Sequence, residues 1–170
     1  MSNNMDLGYE MFCYQCEQTA NGKGCTKLGV CGKTAEVANL QDLLIFQIKG
    51  ISCYGKALLA QGKEIDKSVI RFIENVLFTT LTNVNFDEAV HVELLKESQD
   101  TLKGMTGEID NHTAHVTYTL PETKTEMLKD APMAGIMYED LDPDIRSLRQ
   151  TVLYGLKGIS AYGHQARELG

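Results

Sequence analysis

A chain of 170 residues is long enough for one well-buried domain or two small ones, and its 43% hydrophobic and 23% charged residues exclude disorder and fibrous repeats. The formal charge of −7 argues against a general nucleic-acid binder, which carries a basic face, and against attachment to an anionic membrane surface. No apolar run approaches the roughly 18 residues of a membrane span. The polar start Met1-Ser2-Asn3-Asn4-Met5-Asp6 lacks the basic and apolar segments of a signal peptide, so the cytoplasm is the expected compartment.

In chain order, residues 1–33 read as a loop rich in Cys and Gly with little periodicity. Residues 34–104 read as a three-helix bundle. The first helix begins near Ala35 with Thr34 as N-cap, carries Leu40, Leu43, Leu44, Ile48, Ile51 and Leu58 on one face, and stops at Gly62. The second runs from about Asp66 to Leu81 on a stripe of Val69, Ile70, Ile73, Val76, Leu77 and Leu81. The third follows Asn85, which has capping-box spacing to Glu88, and places Val90, Leu94, Leu95 and Leu102 together before Gly104. Short links between amphipathic helices imply antiparallel neighbours.

Residues 105–141 read as an irregular connector, in which Val116, Tyr118 and Leu120 alternate like a short strand or extended arm and Pro121 and Pro132 break helix. Asp142-Pro143 starts a last helix over 142–170, with a stripe of Ile145, Leu148, Val152, Leu153, Leu156 and Ile159. The expected fold is therefore all-α: a three-helix bundle with an N-terminal Cys-rich loop, plus one helix of an incomplete second bundle. An internal echo supports this, because Lys-Gly-Ile-Ser-x-Tyr-Gly occurs as Lys49–Gly55 and again as Lys157–Gly163. Glycine inside a helix costs about 1 kcal/mol relative to Ala, so two in each copy suggest close helix packing. A lone amphipathic helix must have its stripe covered. The last helix is thus expected to dock on the first bundle, to self-associate with another copy, or to belong to a longer protein.

Chemistry concentrates in the cysteines. Five, an odd number without an export signal, make a disulfide framework a poor reading. Four form Cys13-x2-Cys16-x8-Cys25-x5-Cys31. Four thiolates can close a zinc site or hold an iron–sulfur cluster. Only the first pair has the C-x2-C spacing of a zinc knuckle. The looser second half suits a larger, cubane-like object; the alternative is a stand-alone structural or interaction module whose four cysteines hold zinc. Lys23, Lys27 and Lys33, in or beside the loop, would offset its negative charge.

The segments Met11-Phe12-Cys13-Tyr14-Gln15-Cys16-Glu17-Gln18-Thr19, Gly24-Cys25-Thr26, Gly29-Val30-Cys31-Gly32-Lys33 and Ala38-Asn39-Leu40-Gln41-Asp42-Leu43 resemble the N-terminus of hybrid cluster proteins, the prismane or hydroxylamine reductase family. The likeness continues through the Lys-Gly-Ile-Ser helix, Asn83-Val84-Asn85-Phe86-Asp87 and Arg146-Ser147-Leu148-Arg149. It implies a helical domain of two three-helix bundles followed by two α/β domains. It also implies that Cys13, Cys16, Cys25 and Cys31 ligate a [4Fe-4S] cluster, in the spacing of the form from strict anaerobes. The implied whole enzyme reduces hydroxylamine or nitric oxide at a hybrid cluster whose ligands lie in later domains. This stretch then relays electrons, contributes no catalytic residue, and has as partners the rest of the protein or a redox donor protein.

Other candidates read as structural. Cys53, where the repeat has Ala161, is expected to be a buried inert thiol. His112 and His115 read as surface-loop histidines, and His91 and His164 as ordinary helix residues. Asp140, Asp142 and Asp144 alternate like a calcium loop but lack its Gly and terminal Glu, so helix capping accounts for them.

Overall fold

The computed structural model describes residues 8–105, 113–138 and 141–170. Six α-helices lie among them: α1 (Ala35–Ala60), α2 (Lys67–Thr79), α3 (Glu88–Gly104), α4 (Ala114–Thr117), α5 (Lys124–Asp130) and α6 (Pro143–Leu169). The described residues contain no strand beyond an isolated antiparallel bridge between Cys13 and Cys25. The all-α reading holds.

Helix α1 is the central element. Thr34 caps it, its hydroxyl accepting from the Val37 N–H at 3.2 Å. From Ala35 to Ile48 every residue except Glu36 and Asp42 is buried, which a helix covered on several sides requires. That composition also gives α1 a mean hydropathy of 1.3 over 18 residues, so by length and composition it is apolar enough to cross a membrane, contrary to the reading of the apolar runs above. Here it is the middle of the bundle. At its end Gly62 takes φ +71°, and the Lys63 and Gly62 N–H groups close back on Leu58 and Leu59 carbonyls at 3.0 Å.

Helix α2 starts at its Asp66 cap, whose carboxylate accepts from the Ser68 N–H at 2.7 Å. It ends at Thr79 rather than near Leu81. Phe72, Val76 and Leu77 are its buried residues together with Thr79, whereas Ile70, expected in the stripe, is 45% exposed. Asp87, not Asn85, caps α3, accepting from the Ala89 N–H at 2.8 Å. Asn85 instead accepts from the Asp87 N–H at 2.7 Å, a turn that precedes the helix. Leu94, Leu95 and Leu102 then bury against Leu43, Leu44 and Ile48 of α1 in the main core.

The connector holds more structure than its patterning suggests. The alternating stretch is not a strand: residues 118–120 run on as the extended arm, the Leu120 N–H satisfied by the Gln99 side-chain oxygen at 2.7 Å, while Val116 lies in the single-turn α4. Its backbone passes so near α1 that a Cβ on Gly50 would collide with the His115 carbonyl. His115 stacks on Phe46 at 4.3 Å and is half-buried, not a surface-loop residue; His112 lies outside the described residues. Helix α5 opens with a capping box that sequence patterning overlooked. The Glu126 N–H donates to the Thr123 hydroxyl at 3.3 Å, and that hydroxyl donates to the Glu126 carboxylate at 2.7 Å. Its Met127 and Leu128 join the core.

Helix α6 begins at Asp142, which accepts from the Asp144 and Ile145 N–H groups at 2.9 and 3.4 Å. This is the capping role expected of Asp142, while Asp140 lies outside the described residues. The helix docks against α2, where His164 stacks on Phe78 at 4.6 Å and Arg167 pairs with Glu74. Its face is not the expected one. Ile145, Leu148, Val152, Leu156 and Ile159 are exposed, Leu153 alone of the predicted stripe packs on the core, and the buried residues are Lys157 and Ser160.

Candidate metal centre

The cysteine loop is laid across the start of α1. Met11 and Cys25 bury against Ala35 and Ala38, and the Asn39 side-chain amide donates to the Glu10 carbonyl at 2.9 Å. Inside the loop, the Cys13 N–H donates to the Cys25 carbonyl at 3.1 Å and the Cys25 N–H to the Cys13 carbonyl at 2.8 Å. Two of the four thiols are thereby fixed side by side through backbone. Thr19 holds the turn between them, its hydroxyl donating to the Cys13 carbonyl at 3.1 Å.

Cys25 is buried and receives the Ala20 N–H on its sulfur at 3.5 Å. The Ala20 and Val30 N–H groups, the Thr19 hydroxyl and the Lys33 charge together hold its thiol below the usual value, against the effect of burial. Burial pushes the Cys13 thiol up, against the Gln15 N–H and Lys33, with Asp42 and Cys25 adding to the rise. Cys16 is half-buried and Cys31 exposed, flanked by exposed Leu28 and Val30. The Gly29–Lys33 turn is tight: a Cβ on Gly29 would lie 3.0 Å from the Cys31 sulfur.

Of the three lysines singled out from the sequence, Lys23 and Lys27 are exposed and Lys33 is 2% exposed. The Lys33 ammonium donates to Gln41 Oε1 at 2.6 Å. The Gln41 amide in turn donates to the Asn85 carbonyl at 3.1 Å and meets His91 Nε2 at 3.2 Å. His91 Nδ1 lies 2.6 Å from the Asp87 carbonyl, which can only accept. The proton therefore sits on Nδ1 and Nε2 accepts from Gln41, making His91 a neutral, fully partnered core residue.

A second buried ammonium was not legible in the sequence. Lys157 of α6 donates to the Thr80 carbonyl at 2.9 Å and to Gln15 Oε1 at 3.2 Å, between Cys13 and Cys16. Burial brings its pKa down to about 8, opposed by Asp42 and Cys13, with Lys33 adding to the fall. Burial raises the Asp42 carboxyl to about 7, opposed by Lys157, Lys33 and Lys49. These groups edge a cleft of about 630 Å³ between α1 and α6. Cys53 stands apart, half-buried on a mainly apolar groove with Ile48, Ile73 and Leu77, rather than sealed in the core.

Among the described residues no group of three or more Cys, His, Asp or Glu side chains is placed to hold a metal ion. Four thiols on one loop, with the Ala20 N–H on the Cys25 sulfur and buried ammonium groups nearby, are a donor set that an iron–sulfur cluster or zinc could take.

The fold and loop together define a class, a helical bundle carrying a four-thiol loop against the start of its central helix. The chain belongs to the Prismane/CO dehydrogenase family, which it matches over residues 11–170. It is 42% identical over 160 residues to the hydroxylamine reductase of Bacteroides fragilis (strain YCH46), covering 94% of this chain and 29% of that protein. It is 43% identical over 171 residues to the hydroxylamine reductase of Syntrophobacter fumaroxidans, covering 94% and 31%. With that of Desulfovibrio desulfuricans the identity is 40% over 162 residues, covering 94% and 30%. The chain thus spans 29–31% of the length of these curated relatives, at their N-terminal part.

Proposed function

We propose that this chain is the electron-relay part of a hydroxylamine reductase of the hybrid cluster type, with Cys13, Cys16, Cys25 and Cys31 holding a [4Fe-4S] cluster. The observation that carries the reading is the Cys13–Cys25 bridge with N–H donors on the Cys25 sulfur, since sulfur hydrogen bonds and limited water access are what set the potential of such a cluster. When bound, the cluster would accept and pass on one electron at a time. The chain's residues do the rest. The backbone bridge fixes two thiolates, the Gly29–Lys33 turn presents Cys31 outward, and Lys33 and Lys157 bring positive charge to the buried side. Exposed Cys31, Leu28 and Val30 form the outer edge of the loop, where a redox donor would approach.

The relatives are about three times as long, and we assign their remaining length as the cover of the exposed α6 stripe. On this reading hydroxylamine or nitric oxide is reduced elsewhere in the longer protein, so the iron-loaded chain alone shows no hydroxylamine turnover. Light scattering then shows the isolated chain associating with itself as concentration rises. A monomer throughout argues against an unmet interface on α6.

The test is anaerobic preparation with iron, sulfide and zinc counted on one sample, followed by electron-paramagnetic-resonance spectroscopy after reduction. Four irons and four sulfides per chain, lost on Cys25→Ser, are expected. One zinc without sulfide overturns the relay and makes the loop a structural clip.

A further inference from the structure

We propose that Lys157 is a positioning residue for the cysteine loop: its ammonium clamps the Cys13–Cys16 turn through Gln15 and sets a fixed positive charge beside the thiolates. The clamp stands on geometry alone, while its effect on a potential rests on the cluster reading above.

Helix α6 has 27 residues, of which Lys157 and Ser160 are the buried ones. Its most enclosed side chain is therefore an ammonium, 2% exposed, while Ile159 two positions on is 69% exposed. Burying an ammonium is unfavourable unless hydrogen bonds and opposite charge compensate it. The hydrogen bonds come from two directions. Thr80, the residue that closes α2, offers its carbonyl at 2.9 Å, at the negative end of that helix. Gln15 offers its side-chain oxygen at 3.2 Å from within the loop. One cation thus ties α6, the end of α2 and the Cys13–Cys16 turn together. The opposite charge is thin: no carboxylate oxygen lies within ion-pair distance of Lys157 among the described residues, and Asp42 acts on it from farther away. A loop of four thiolates supplies the missing negative charge when it is occupied.

The repeat provides an internal control. Lys49 holds the equivalent place in the first copy, is exposed, and edges the same cleft, with no hydrogen bond to the loop among the described residues. The experiment compares the full chain carrying Lys157→Met, Gln15→Ala and Lys49→Met. Alkylation of Cys13 and Cys16 in the reduced, metal-free chain is followed by peptide mapping, with Cys53 as reference. Loss of one hydrogen bond to a charged group favours local opening about tenfold. That rise at Cys13 and Cys16 is expected for Lys157→Met and Gln15→Ala and not for Lys49→Met. Gln15→Ala leaves Lys157 its Thr80 partner, so it reports the clamp even if Lys157→Met fails to fold. In the iron-loaded chain, Lys157→Met shifts the midpoint potential negative, because the reduced, more negative form loses a cation, whereas Lys49→Met leaves it near wild type. Wild-type alkylation rates in both loop-facing variants overturn the clamp, and an unshifted potential overturns the charge role. A wild-type chain that takes up no iron and sulfide overturns the cluster reading instead, and the alkylation rates still decide the clamp.

Discussion

Lys49–Gly55 in α1 and Lys157–Gly163 in α6 share Lys-Gly-Ile-Ser-x-Tyr-Gly, yet they are packed on opposite faces. In α1 Gly50, Ile51 and Gly55 are buried while Lys49 and Ser52 are exposed. In α6 Lys157 and Ser160 are buried while Ile159 and Tyr162 are exposed. The neighbours account for the difference. α1 meets the apolar faces of α3 and α5 and the close backbone of α4. α6 meets the carbonyl at the end of α2 and the Gln15 amide, which a lysine satisfies and an isoleucine cannot. Periodicity therefore shows that a helix has an apolar stripe, but the chemistry of the opposing surface decides whether that stripe is the docked face.

The sharpest break of this comparison is the shared isoleucine. Ile51 is fully buried, so Ile51→Ala is expected to cost about 3 kcal/mol, whereas Ile159→Ala in the isolated chain stays within about 0.5 kcal/mol. Urea unfolding of both checks it, and equal losses would show that α6 docks on its stripe. Next come the glycines. A Cβ on Gly50 meets the His115 carbonyl while one on Gly158 meets nothing within 4 Å. Gly50→Ala should therefore destabilise by about 1–3 kcal/mol and Gly158→Ala stabilise by up to about 1 kcal/mol. Thermal midpoints with the same sign for both would refute the asymmetry.

The buried polar side of α1 sharpens the contrast through pH. Burial holds the His91 pKa below its ordinary value, with Lys33 adding to this and the Asp87 carbonyl, Asp87 and Glu88 opposing it. A depressed pKa gives a contribution present above about 6.5 and lost as pH falls through the folded value. Protonated Nε2 would also point an N–H at the Gln41 amide, donor against donor. Stability should fall steadily below pH 6.5, and His91→Gln should flatten that limb; an unchanged slope sinks the assignment. The smallest effect is expected at the far end of α6, where the exposed Arg167–Glu74 pair contributes about 0.5 kcal/mol. Arg167→Ala in moderate salt measures it.

Much of this molecule was legible where a local signal and its structure coincide. Thr34 and Asp142 cap the helices they were expected to cap, and Gly62 takes the left-handed turn after α1. The signals failed where a partner decides. Val116, Tyr118 and Leu120 alternate, but alternation makes a strand only beside another strand. Asn85 and Asp87 both suit a cap, and two residues of loop chose Asp87. Thr123-Lys124-Thr125-Glu126 carries a capping box that Pro121 and a helix of only seven residues concealed. At the candidate site the four cysteines were singled out by spacing, and of the three lysines named with them Lys33 is buried while Lys23 and Lys27 are exposed. Lys157 was not legible, because the identical string in α1 leaves its lysine exposed, and only the fold brings residue 157 to residue 15.

The Cys13–Cys25 bridge has one more consequence, for the order of assembly. Bringing the ends of that segment together costs about 2 kcal/mol of loop-closure entropy. The backbone meets that cost through two hydrogen bonds that need no metal. Half of the thiol set is therefore preorganised as the chain folds, and a metal group held by this loop would have only to recruit Cys16 and the outward Cys31. The two sides of the loop differ accordingly, with Cys25 sealed against the start of α1 and Cys31 open to solvent before any metal arrives.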